Sequence, residues 1–276
     1  MSLWHFLAES LGWEWAGYAF MQRALAAVAL VSLLYGMAGS MVVNAQMAFF
    51  SDAIGHAALT GIAIGAVLGL GDPLWAMAGF AVLLAIAITV VRRTAAASAD
   101  TVIGLFMALA VALGVAILSR GGGFARYSRY LIGDILSITP AELSRLAALS
   151  ILAVAGLALL YNRMVLISLN PGLARSRGLA VPLWEGLFAA MVAVIVTVSI
   201  QWVGLLVINS LLIIPAAAAR NLAANSRQYL WLAVGISLAC GLAGLIASFY
   251  LGTATGATIV LMAMSCFLVT LAIRKK

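Results

Sequence analysis

Charged side chains are scarce in this chain. They make up 8% of it against 66% hydrophobic residues, and the mean hydropathy is +1.18. Soluble domains are about 25% charged, so a water-exposed globular protein is excluded and an integral membrane protein implied. The long apolar runs also lack period-2 alternation. In lipid, backbone polar groups must be satisfied internally, by helices or by a closed barrel; a barrel would need that alternation. Cysteine is limited to Cys240 and Cys266, both in apolar runs and without metal-ligand spacing, so they read as small packing residues. Histidine is limited to His5 and His56. No G-x-x-x-x-G-K-[ST] stretch occurs, and "RGGGFARY" (120–127) lacks the lysine of a phosphate loop, so nucleotide binding by that route is not expected. Nor does the N-terminus place a basic segment ahead of an apolar core, so no cleavable signal peptide is expected.

What the chain does have is apolar runs near 20–43, 48–70, 74–91, 101–119, 145–161, 184–202, 204–219, 229–250 and 257–273. Most approach or exceed the roughly 20 residues that cross a bilayer as helix. The expected fold is all-α, a polytopic transmembrane bundle of eight to nine spans. Residues 3–18 place Trp4, Leu7, Leu11, Trp15 and Tyr18 at helical spacing, which predicts an amphipathic interfacial segment over 1–19. His5 reads as an interfacial side chain within it. Residues 20–276 then form one transmembrane domain.

Arg92 and Arg93, then Arg163, Arg175 and Arg177, then Arg220 and Arg227, then Arg274, Lys275 and Lys276 fall in alternate loops. The positive-inside rule puts those loops and the C-terminus in the cytoplasm. The net charge of +7 is thus assigned to loops and not to a nucleic-acid partner. The 120–144 region, with Arg120, Arg126, Arg129 and the following Arg145, departs from the bias on the outer side, unless "RYLIGDILSIT" dips into the bundle.

Within "SDAIGHAALTGIAIG" (51–65), Asp52 and His56 stand one helical turn apart and share a face. An aspartate near a helix centre costs roughly 2.5–3.5 kcal/mol on insertion, so such a residue faces the bundle interior or a water-filled path and marks an ion or substrate route. Chemistry alone leaves three readings: hydrogen bonding between helices, a proton relay, or a weak site for Zn²⁺ or Mn²⁺. Two ligands suit transit better than storage, and two copies of the chain at a symmetry axis would supply four. Gly61, Gly65 and Gly69 recur every fourth residue, a small-residue face for helix packing.

The sequence resembles the permease subunits of bacterial ABC transporters that import zinc or manganese. The resemblance rests on "FFSDAIGHAALTGIAIG" (49–65), "ADTVIGLFMALAVALGV" (99–115), "YLIGDILSIT" (130–139), "NPGLARSRGLAVP" (170–182), "VGLLVINSLLIIPAAAAR" (203–220) and "TGATIVL" (255–261), in the family's order along nearly the whole chain. Three positions depart from the family's pattern: Gly55 stands for a serine, Thr60 for a proline and Asn170 for an acidic residue. The resemblance implies a homodimeric permease in the bacterial cell membrane, driven by a separate cytoplasmic ATPase and fed by an extracytoplasmic metal-binding protein. Asp52 and His56 would hold the passing ion, and no cofactor would be resident.

The remaining motifs have physical readings of their own. Asn170 as cap, Pro171 in the first turn and Gly178 near the end predict a short cytoplasmic helix with Arg175 and Arg177 exposed. The resemblance makes it the helix that couples to the ATPase, with Ala174 and Gly178 four apart. Pro215 lacks an N–H and predicts a kink, beside which Asn209 and Ser210 either line a cavity or bond across helices. Asp134 is a further pathway candidate, and Asp100 reads as a helix N-cap. An ion- or proton-coupled secondary transporter would be expected to repeat such elements in two halves, yet the Asp–His element occurs once. An intramembrane metal-dependent hydrolase would need a second histidine four residues away, and His5 is far off.

Overall fold

The computed structural model describes residues 14–70, 72–119 and 133–274. Most of the interfacial segment, His5 and the first part of the suspected re-entrant stretch lie outside them. A 3-10 turn at Glu14–Gly17 precedes α1 (Ala19–Asn44), α2 (Phe50–Val67), α3 (Pro73–Thr94) and α4 (Ala99–Ser119). A second 3-10 turn, Ile135–Ser137, leads to α5 (Pro140–Leu169), the short α6 (Pro171–Ser176), α7 (Val181–Val203), α8 (Leu205–Leu222), α9 (Ser226–Leu251) and α10 (Thr255–Ile273). Among the described residues there is no strand, and nine helices are long and apolar enough to cross a membrane. The protein is a polytopic helical bundle. Large apolar side chains such as Leu83, Leu105, Leu159 and Leu261 stay exposed, as a lipid-facing surface allows.

Local chemistry sets the helix starts. The Asp72 carboxylate accepts from Leu74 N–H at 2.9 Å ahead of Pro73, which opens α3. Thr139 and Glu142 form a reciprocal capping box at α5, Glu142 Oε2 accepting from Thr139 N–H at 2.9 Å and Thr139 Oγ1 from Glu142 N–H at 3.3 Å. At α4 the cap is Ser98, whose Oγ accepts from Thr101 N–H at 3.2 Å. Asp100 lies instead inside the first turn, where its charge favours the helix dipole, because the Ser98 hydroxyl two residues earlier takes the capping place.

The chain divides into two compact units, one comprising Ala38–Gly133 and Ala153–Leu205, the other Met1–Met37, Asp134–Leu152 and Leu206–Lys276. In the first, α2 is the enclosed helix: 72% of its span is buried, against 33% for α3 and 28% for α4. Glycine is what lets its neighbours close in. A Cβ at Gly61 would strike the Met77 backbone, and one at Gly65 would press on Ala76 and Pro73, so α3 packs backbone-close. On another side Thr60 Oγ1 donates to the Ala110 carbonyl of α4, where Gly114 leaves room for it. With threonine in place of proline, α2 runs unbroken through this point. Gly69 takes no part in this packing. It sits beyond the end of α2 at φ +66° with open space around it, serving the turn that closes the helix. At the far end of α7, Gly204 (φ +83°) and Gly133 (φ +58°) meet backbone to backbone.

In the second unit α1 and α9 approach where Gly36 admits the backbone of Val234, and α9 and α10 where Gly244 admits Ile259. Helix α8 continues through Pro215. The missing N–H of Pro215 leaves the Leu211 carbonyl without its intrahelical donor, and the buried Ser237 hydroxyl of α9 donates to that carbonyl at 3.4 Å.

Candidate functional site

From Phe50 to Ala63 every residue of α2 is buried except Asp52 and His56. Their side chains are 32% and 43% exposed, and His56 Nε2 stands 3.5 Å from Asp52 Oδ1. Helical periodicity places the two on one face, and packing by α3, α4 and α7 closes the others, so the pair is the accessible part of this stretch of the helix. Ligands about 2.0–2.2 Å from a common tetrahedral ion lie roughly 3.3–3.5 Å from each other. The observed separation therefore lets both donors face one cation, or lets His56 donate to Asp52 when no cation is there. Among the described residues no group of three or more His, Cys, Asp or Glu side chains is placed to hold a metal. A Cβ at Gly55 would overlap the tip of Leu205, so the absence of a side chain here seats an apolar residue against the backbone just before His56.

The other expected pathway residues belong to the second unit. Asn209 is half-buried on α8. Ser210 is buried, and its hydroxyl donates to the Val207 carbonyl of its own helix at 3.0 Å. Asp134 is exposed and caps the 3-10 turn, accepting from Leu136 N–H at 3.1 Å while its carbonyl accepts from the Ser137 hydroxyl at 2.9 Å.

The short helix α6 is built from its ends. Asn170 Oδ1 accepts from Leu173 N–H at 2.9 Å, and Pro171 occupies the first helical position. At the other end Gly178 adopts φ +79°, its N–H donating to Arg175 O at 2.9 Å and Leu179 N–H to Ala174 O at 3.1 Å. This paired closure is the Schellman motif, and its left-handed residue favours glycine. Ala174 is fully buried, whereas Arg175, Arg177 and Leu173 are exposed.

Two contacts beside α6 had no signal in the spacing of residues. Arg93 is 2.6 Å and Arg92 3.7 Å from Glu185 Oε2, joining the end of α3 to the start of α7. Arg163 stacks its guanidinium 3.8 Å over the ring of Trp184. The one available hint was the solitary acidic Glu185 at the start of an apolar run.

A bundle whose described residues form nine apolar helices and keep an acid–imidazole pair accessible on an enclosed helix has the build of a multi-pass membrane transport protein. Residues 17–274 match the model of the ABC 3 transport family, and the chain belongs to that family. It is 36% identical over 260 residues to the membrane protein slr2045 of Synechocystis sp., covering 94% of this chain and 92% of the relative. It is 27% identical over 259 residues to the manganese import system permease protein ScaB of Streptococcus gordonii (94% and 93%). With the high-affinity zinc uptake system membrane protein ZnuB of Haemophilus influenzae it shares 30% over 252 residues (90% and 95%). Among solved structures it is similar to PsaBC from Streptococcus pneumoniae in complex with Fab, with a TM-score of 0.80 and 26% identity over 96% of this chain and 95% of that one.

Proposed function

We propose that the chain is the membrane-spanning permease of an ABC importer for divalent transition-metal ions, Zn²⁺ or Mn²⁺. The observation that carries this reading is the accessible Asp52–His56 pair on an otherwise enclosed helix. Carboxylate and imidazole are accepted by both ions, and full-length relatives are named for manganese import and for zinc uptake. The metal is cargo and no cofactor is resident. A separate cytoplasmic ATPase supplies the energy, docking at α6 through Ala174, Arg175, Arg177 and Gly178 with Asn170 as its cap. An extracytoplasmic metal-binding protein delivers the ion, and two copies of the chain form the pathway in the bacterial cell membrane, with residues 20–276 acting as one permease domain and the C-terminus in the cytoplasm. Asn209, Ser210 and Asp134 line the route beyond the pair.

The test is uptake of radiolabelled zinc and manganese by cells expressing the permease with its ATPase and binding protein. Asp52→Ala and His56→Ala are each expected to cut uptake at least tenfold while the complex still assembles, and the metal that the wild type accumulates identifies the cargo. Undiminished uptake in both variants would remove the pair from the ion path.

A further inference from the structure

The sequence holds two cysteines, and the fold brings them together. Cys240 lies near the middle of α9 at 3% exposure, and Cys266 lies half-buried on α10. The two helices run antiparallel across the short turn after Leu251 and pack backbone-close where Gly244 admits Ile259. One turn from that point the Cys240 thiol reaches the Met262 carbonyl, Sγ to O 4.0 Å. In a helix, that carbonyl is the acceptor of the Cys266 N–H. Helical side chains lean toward their own N-terminus. In an antiparallel pair this tilts Cys240 and Cys266 toward each other, on the side where the Cys240 thiol already reaches the turn that leads to Cys266.

We propose that Cys240 and Cys266 form an intramembrane dithiol site for a soft cation that favours two thiolate ligands, with Hg²⁺ as the type. Soft thiolate ligands select soft ions. In apolar surroundings an uncompensated charge is costly, which favours a divalent ion. As Hg²⁺ binds, two S–H bonds break, two S–Hg bonds form and two protons leave to water. The complex is neutral and nothing is oxidised or reduced. A monovalent ion held by both thiolates would leave one negative charge in the bundle. Occupancy ties α9 to α10, and neither Asp52 nor His56 belongs to this unit.

The test uses the purified full-length protein and two probes. Phenylarsine oxide joins two neighbouring thiols through two As–S bonds with loss of one water. Intact mass measurement is expected to show one such adduct per wild-type chain, stable to excess monothiol and reversed by a dithiol, and none in Cys240→Ser or Cys266→Ser. Titration with HgCl₂ in weak buffer containing excess chloride, which keeps the metal as its chloride complex so that no bound hydroxide consumes protons, is expected to release two protons per ion from the wild type. The proposal is overturned if the wild type takes no arsenical, if either single variant takes it as well as the wild type does, or if Hg²⁺ releases one proton. Both serine variants keep a small polar side chain of similar shape, and thermal unfolding compared with the wild type verifies that they fold.

Discussion

Two glycines eight residues apart do different work, Gly61 inside α2 and Gly69 just beyond its end, and their substitutions separate packing from turn geometry. At Gly61 any side chain must displace the Met77 backbone, whereas at Gly69 there is open space and a left-handed backbone. Asparagine tolerates that conformation better than other side chains. Gly69→Asn is therefore expected to stay within about 0.5 kcal/mol of the wild type, since surface substitutions away from special features rarely exceed that. Gly61→Asn should destabilise by about 1–3 kcal/mol through overpacking, and more for its amide left among apolar groups. Thermal unfolding in detergent checks the pair: equal losses at the two positions would contradict the division. The sequence shows only the four-residue spacing, which a helix face and a helix end share. Where the helix stops was the missing fact, and it is set by the backbone after Val67, where Gly69 turns left-handed, which the spacing of the repeat does not reveal.

At the scale of the element, α6 was the most readable part of the molecule because its determinants are local. Asn170, Pro171 and Gly178 act on their own neighbours within a few residues, so spacing alone was enough to foresee it. Asn170→Ala removes the acceptor for Leu173 N–H and is expected to cost about 1 kcal/mol of local stability. Asn170→Asp keeps an acceptor and should retain it. If α6 is the docking element, ATP hydrolysis by the assembled complex will become uncoupled from uptake in Asn170→Ala, with rescue by Asn170→Asp. Equal coupling in all three proteins would deny α6 that role. The α4 start was misread for a related reason: Ser98 and Asp100 are both competent caps, and only the chain's turn decides between them. The Arg93–Glu185 link was beyond reach, since its partners are 92 residues apart in sequence and nothing local marks them as neighbours. Thr60 stands between these cases. Its hydroxyl announced a need for a partner in the bundle, but the Ala110 carbonyl that meets it belongs to another helix.

For the whole molecule, the proposed reading gives one chain two metal donors, Asp52 and His56. A tetrahedral ion takes four ligands, and among the described residues no further His, Cys, Asp or Glu completes the set. Oligomers most often close by two-fold symmetry, and two chains facing each other across such an axis would offer two aspartates and two imidazoles to a single ion. The expected stoichiometry is then one Zn²⁺ or Mn²⁺ per two permease chains in the purified complex, read by equilibrium dialysis, with affinity weak enough for the ion to leave again. A complex combining one wild-type and one Asp52→Ala, His56→Ala chain keeps two donors and should lose most of its affinity. Binding of one ion per chain would mean that each copy completes its own site with waters or backbone carbonyls. The mixed complex would then retain half of the sites at full affinity, an outcome that distinguishes a shared site from two separate ones.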